Sequence, residues 1–139
     1  TSRREDLIRA VVEGLNYGSL DMLRALETGA GQTAEKITAI GGGTRNTFWM
    51  QNKADVSGRP VVTLDIEEAT ALGAAMLAGV GAGVYKDLSE AAGRVQRPGM
   101  TFEPNMKLVP LYAELFEIYK DIYPALRSVN TRIYNRFRV

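Results

Sequence analysis

The sequence predicts an α/β domain in which parallel strands are covered by helices, and three observations predict it. Short apolar runs at 36–40 and 60–64 are too brief for helices and flank a stretch with helical spacing. That strand, helix, strand order needs a crossover long enough to hold the helix, which goes with parallel pairing. Long segments whose apolar residues recur at three- and four-residue steps occupy both ends of the chain, and three successive glycines sit where the first strand meets the next helix. Only two strands are evident, against roughly four to six in a common sheet. The sheet is therefore expected to be incomplete here: either further strands lie outside this chain or a second copy completes it as a homodimer.

The elements follow in order. Ser2 and Glu5 have the spacing of a capping box, and Leu7, Ile8, Val11, Leu15, Met22, Leu23 and Leu26 mark a helix over 3–27, ended by Thr28-Gly29-Ala30-Gly31. Gly14 and Gly18 inside it each cost about 1 kcal/mol relative to Ala, so close packing is expected at both. A strand at 36–40 runs into Gly41-Gly42-Gly43, a second helix covers 44–57 with Gly58 at its C-terminal cap, and a second strand begins at Pro60. A third helix starts among Asp65, Glu67 and Glu68, whose charges suit a helix N-terminus, and extends to Gly81 or Gly83. Ala71, Ala75, Gly79 and Gly83 lie four apart and predict a tightly packed face in the core. Residues 86–104 read as turn-rich with one short helix near Ser89, and 108–133 as a long helix kinked or restarted at Pro124.

Composition limits the chemistry. Seventeen Lys and Arg against sixteen Asp and Glu give a net charge of +1, too little field for a nucleic-acid partner. Without His or Cys, zinc centres, thiol nucleophiles and imidazole bases are excluded. The charged start Thr1-Ser2-Arg3-Arg4-Glu5-Asp6 is unlike a signal peptide, so a cytoplasmic location is expected. The longest uncharged stretch, 69–85, is mostly Ala and Gly and reads as a buried helix rather than a membrane span.

Three glycines between strand and helix let the backbone turn sharply and let a ligand approach peptide groups with no Cβ in the way. Gly41-Gly42-Gly43-Thr44-Arg45-Asn46 matches neither the dinucleotide fingerprint nor the Walker A loop, so by position it is either a ligand-binding bend or a tight connection. Asn46 either contacts a ligand or caps the second helix, the cap being the commoner role. Trp49 beside Phe48 reads as core rather than a stacking platform. Asp55 and Glu68 lie on different helices and are assigned no catalysis, and no catalytic or metal-ligating residue is proposed.

Ile40-Gly41-Gly42-Gly43-Thr44-Arg45-Asn46, Trp49-Met50-Gln51, Ala54-Asp55, Gly58-Arg59-Pro60-Val61 and Glu68-Ala69-Thr70-Ala71-Leu72-Gly73-Ala74-Ala75, in this order and spacing, resemble the C-terminal domain of the FGGY family of carbohydrate kinases. Arg9-Ala10-Val11-Val12-Glu13-Gly14 resembles the family's helix preceding the strand, and the Tyr-rich last helix matches loosely. The resemblance implies part of an actin-like, ribonuclease-H-like ATPase fold, with residues 1–139 the C-terminal part of a nucleotide-binding domain. It implies that Gly41, Gly42 and Gly43 face the adenosine of ATP or ADP, that Asn46 contacts the nucleoside, and that Gln51, Asp55 and Glu68 support the structure. Asn52-Lys53 stand where the family pattern is commonly apolar, so that face of the second helix is expected to be more exposed.

The resemblance further implies that the sugar-binding domain, the general base and a phosphate-contacting loop precede Thr1. The chain alone is then expected to be inactive, with Mg2+ inferred only from ATP chemistry. The other reading is a stand-alone nucleotide-binding or self-associating module without catalysis.

Overall fold

The computed structural model describes residues 3–66, 68–95 and 98–137; Ser2 and Glu67, cited above for helix starts, lie outside them. Helix α1 spans Arg4–Ala30, β1 Ile37–Ala39, a 3-10 turn Gly42–Arg45, α2 Thr47–Ser57, β2 Val61–Leu64, α3 Ala69–Gly81, α4 Leu88–Val95, β3 Pro98–Phe102 and α5 Val109–Phe137. The α/β class is as the sequence predicts.

The sheet is mixed rather than all-parallel, in the order β1-β2-β3. β1 and β2 are parallel with Ile37 beside Val61, and β3 runs antiparallel with Phe102 beside Val61. β3 falls where only turns were expected, because Pro98 and Gly99 disguise it. Gly99 is required by proximity: a Cβ there would lie 2.6 Å from the Thr63 hydroxyl and 3.0 Å from its carbonyl oxygen. The register slips between Val62 and Leu64, and the Met100 N–H donates to Thr63 Oγ1 at 2.9 Å, so a side chain takes over where the ladder is interrupted. Among the described residues β1 has no strand on its other edge.

α2 lies between the sheet and the helix pair α1 and α5, and so is buried on opposite sides. Met50 and Ala54 pack with Val61 and Phe102, while Val56 joins Tyr17, Leu20, Tyr112 and Phe116. This placement overturns the expectation that Asn52-Lys53 mark an exposed face. Asn52 is 4% exposed, accepting from Asn16 Nδ2 at 2.7 Å and donating to the Tyr112 hydroxyl at 3.0 Å. Lys53 is half-buried and donates to Ser19 Oγ at 3.0 Å. Polar groups are tolerated inside because each meets a partner from another helix. Tyr17 pays part of the balance: among the described residues its hydroxyl is the buried side-chain polar atom without a hydrogen-bond partner, and burial, with Glu13 and Tyr112 nearby, pushes its pKa up to about 12.

Helix ends shift from the expected positions for local reasons. α1 continues through Thr28, Gly29 and Ala30 and stops on Gly31, whose φ of +64° is left-handed and whose N–H bonds the Glu27 carbonyl. At the other end the Arg3 N–H donates to Asp6 Oδ2 at 2.8 Å. Gly58, at φ +66°, closes α2 in the same way as Gly31. α5 is one continuous helix through Pro124 and is not restarted there.

The small-residue face of α3 is not in the core. No residue of α3 is buried; Ala71, Ala75 and Gly83 are exposed. Gly79 packs only against the chain's own turn, a Cβ there meeting the Tyr85 ring at 2.7 Å. The surface such a face would need is absent among the described residues.

Glu27 fastens the end of α1 to both neighbouring segments. Its Oε1 accepts from the Ala34 N–H at 2.7 Å and from Arg59 Nη1 at 2.6 Å, and Oε2 accepts from Arg59 Nη2 at 3.1 Å. The Arg59 hydrogen bonds first, then the Ala34 N–H, hold this carboxyl below the usual Glu pKa. A lowered folded pKa stabilises above the ordinary Glu range and loses that stabilisation as pH falls through and below it. Urea titrations from pH 7 to pH 3 are expected to show this acid-side loss in the native chain and less of it in Glu27→Gln.

The close packing expected at Gly14 is not found: a Cβ there would meet nothing within 4 Å, and at Gly18 only the Tyr119 hydroxyl at 3.4 Å. Gly14→Ala is therefore expected to raise unfolding free energy by about 1 kcal/mol, the helix-propensity difference, read from the urea midpoint.

Candidate functional site

The bend between β1 and α2 is set by backbone geometry. Gly41 has φ +90° and ψ 178°, a conformation that L side chains rarely adopt. Thr44 closes the turn on it, its N–H and hydroxyl both donating to the Gly41 carbonyl, at 3.1 and 2.7 Å. A Cβ on Gly41 or Gly42 would meet nothing within 4 Å, so this peptide surface is open; a Cβ on Gly43 would meet the Trp49 ring at 3.4 Å.

The helix expected from residue 44 is divided here. Gly42–Arg45 forms the 3-10 turn, and Asn46, with extended φ −88° and ψ 96°, starts α2 by accepting the Trp49 N–H on Oδ1 at 3.1 Å. Asn46 is a helix cap, and it is also exposed beside the open glycines. The four residues singled out from the sequence thus lie within one turn of chain.

A hollow of about 410 Å³ opens beside the bend, bordered by Gly43, Thr44, β1, Trp49, Met50, Lys53 and Ser19. Gly41, Gly42 and Asn46 stand outside its lining. Lys53 is the cation on its wall, and burial lowers its pKa. Neither Lys53 nor Ser19 is marked by a local motif; their meeting depends on α1 and α2 packing side by side.

Trp49 is the wall that Gly43 rests on, and its orientation is fixed from behind. Its Nε1–H donates to Asn16 Oδ1 at 3.0 Å, Asn16 Nδ2 donates to Asn52, Asn52 Nδ2 donates to the Tyr112 hydroxyl, and that hydroxyl donates to Glu13 Oε1 at 3.1 Å. Trp49 is packed as core, whereas Phe48 is 44% exposed and borders a hollow with Glu5, Asp6, Ile8 and Arg9 of α1. The reading of Phe48 as core is corrected accordingly.

Asp55 and Glu68 are not brought together into an acid–base pair. Asp55 Oδ1 accepts from Gln51 Nε2 at 2.9 Å and the Asn105 N–H at 2.8 Å, and Gln51 also donates to the Glu103 carbonyl at 2.8 Å, so the two side chains anchor the link from β3 to α5. Glu68 stands at the start of α3 without a side-chain cap bond. Among the described residues no three Asp or Glu carboxylates converge on a point where a cation would sit. The arrangement offers an uncovered peptide surface able to take a flat ring, with an amide at its side.

A family model described as the C-terminal domain of the FGGY family of carbohydrate kinases matches residues 1–82. The chain belongs to this family. Xylulose kinase of Bacillus subtilis is 35% identical over 133 residues, covering 94% of this chain and 26% of that protein. Glycerol kinase of Pasteurella multocida is 42% identical over 89 residues, 64% of this chain and 18% of that protein. Among solved structures, ligand-bound xylulose kinase from Lactobacillus acidophilus superposes with a TM-score of 0.79 at 28% identity, over 94% of this chain and 26% of that one. The FGGY chain described here thus spans about a quarter of the length of the xylulose kinases it matches, and its fold is part of the actin-like architecture expected from the resemblance.

The hydrogen-bonded series behind Trp49 carries a stability prediction. Asn52→Ala leaves Asn16 Nδ2 without its acceptor and removes the donor to the Tyr112 hydroxyl, which keeps its bond to Glu13, and is expected to cost about 1–3 kcal/mol by chemical denaturation.

Proposed function

We propose that residues 1–139 are the C-terminal part of the nucleotide-binding domain of an ATP-dependent carbohydrate kinase. The observation that carries this is the open surface at Gly41 and Gly42, free of side chains and next to the cap of α2, in a chain of this family. Adenosine rests on that surface with Asn46 at its edge. The γ-phosphoryl group passes from ATP to a sugar hydroxyl: the Pγ–O bond to ADP breaks, a new O–P bond forms, and the hydroxyl proton goes to a base outside these residues.

The acceptor is a pentulose, pentose or polyol, a choice supported by the relatives named xylulose kinase and glycerol kinase. Mg2+ accompanies the triphosphate, an inference that rests on the chemistry of ATP. No described helix is long and apolar enough to cross a membrane, and the proposed site of action is the cytoplasm. The 139-residue chain by itself binds nucleotide and does not phosphorylate sugar.

Calorimetric titration with ATP and ADP tests the reading. Saturable binding is expected in the native chain. Gly42→Val places its branch in open space, so stability should change by less than about 0.5 kcal/mol while binding weakens at least about tenfold. Asn46→Ala is expected to lose about 1 kcal/mol of stability through the cap and to weaken binding besides. Absence of saturable binding, or binding unchanged in Gly42→Val, overturns the site; sugar phosphorylation by the purified chain overturns the proposed inactivity.

A further inference from the structure

The hydrogen-bonded series behind the bend runs in a single direction. It begins at the Trp49 indole N–H, which can only donate, and ends at the Glu13 carboxylate, which accepts. Between them lie Asn16 and Asn52, 1% and 4% exposed, each accepting on its oxygen and donating from its nitrogen. Turning either amide over would set donor against donor and acceptor against acceptor. The two ends therefore fix both interior amides, and through Asn16 the angle at which the indole is held.

Trp49 meets the bend in two places. Atoms of its six-membered ring would lie 3.4, 3.7 and 3.8 Å from a Cβ on Gly43, and its backbone N–H donates to Asn46 Oδ1 at 3.1 Å. A tilt of the indole is felt at Gly43 directly and at Asn46 through the first turn of α2. The ring also borders the hollow of about 410 Å³, which gives it room to turn. Apolar contact has no preferred direction and opposes such a turn weakly, whereas a hydrogen bond weakens steeply with angle.

We propose that Asn16 and Tyr112 are positioning residues for the glycine bend: both lie in the interior between helices, and both set the geometry of the bend through Trp49. Their effect on nucleotide affinity rests on the function proposed above; their effect on the bend itself does not.

The chain has a single tryptophan, so its indole N–H gives one resonance in a nitrogen-labelled sample. Tyr112→Phe keeps the ring and removes the hydroxyl near the far end of the series. It is expected to shift the indole resonance and the Gly43 amide resonance while far-ultraviolet circular dichroism stays constant. Asn16→Leu, nearer the bend, should shift the Gly43 amide further. In a Trp49→Phe background, Tyr112→Phe should leave the Gly43 amide where it was. Glu27→Ala, which loosens the C-terminal end of α1 without touching the series, should move neither resonance. By calorimetry on folded chains, Tyr112→Phe should weaken ADP binding by about threefold and Glu27→Ala by less than about 1.5-fold. A Gly43 amide that ignores Tyr112→Phe, or shifts as much with Trp49→Phe already in place, overturns the positioning. So does an equal shift in Glu27→Ala, which reports general loosening. The expected shifts with ADP affinity unchanged overturn the effect on binding. A native chain that binds no nucleotide overturns the function proposed above, and the resonances still decide whether Asn16 and Tyr112 position the bend.

Discussion

The structure turns on a directional series of hydrogen bonds through its interior: Trp49 to Asn16, Asn16 to Asn52, Asn52 to Tyr112, and Tyr112 to Glu13. Its members come from α1, α2 and α5, so three helices are held in one register by polar groups that are buried at Asn16 and Asn52 and partly buried at the two ends. In a low-dielectric interior each donor polarises the next, and a missing member leaves its neighbours unpaired. Apolar packing around the series would permit the helices to slide; the polar contacts permit one arrangement. Glu13 ends the series where Arg9 can screen its charge, at 3.7 Å.

That constraint reaches the bend because Trp49 belongs to both. Its indole N–H is fixed by Asn16 while its ring supports Gly43. The glycines supply an uncovered surface, but a surface is useful only if its backing does not move, and the backing is a side chain anchored through α1 to α5. Asp55 and Gln51 do comparable work on the far side of α2, tying it to the segment that leads into α5. Rigid support beneath an exposed loop is the general way in which a short turn becomes a usable site.

Much of this was legible in the sequence, and the failures share a cause. β1, α2 and β2, the glycine bend and the Gly58 cap follow from local rules, since each depends on residues within a few positions. Asn46 as cap was legible for the same reason. β3 was hidden because Gly99 is dictated by Thr63, 36 positions earlier, and a glycine within a strand cannot be told from a turn without knowing what approaches it. Asn52 and Lys53 were misread because a buried amide or amine looks like a surface one until its partners, Asn16 and Ser19, are placed beside it. The small-residue face of α3 had a clear pattern, and among the described residues only the Tyr85 ring meets it, at Gly79: spacing shows that a helix can be approached closely, but not by what.

The chain has a single tryptophan, and it stands at the junction of the bend and the three-helix interior. Its emission is therefore a natural reporter, but one that hears two voices: an occupant settling on the glycines and a loosening of the helices would both alter the surroundings of the same chromophore. A colour change alone does not say which has happened. A signal that appears on adding ligand becomes assignable to the bend only when far-ultraviolet circular dichroism stays constant.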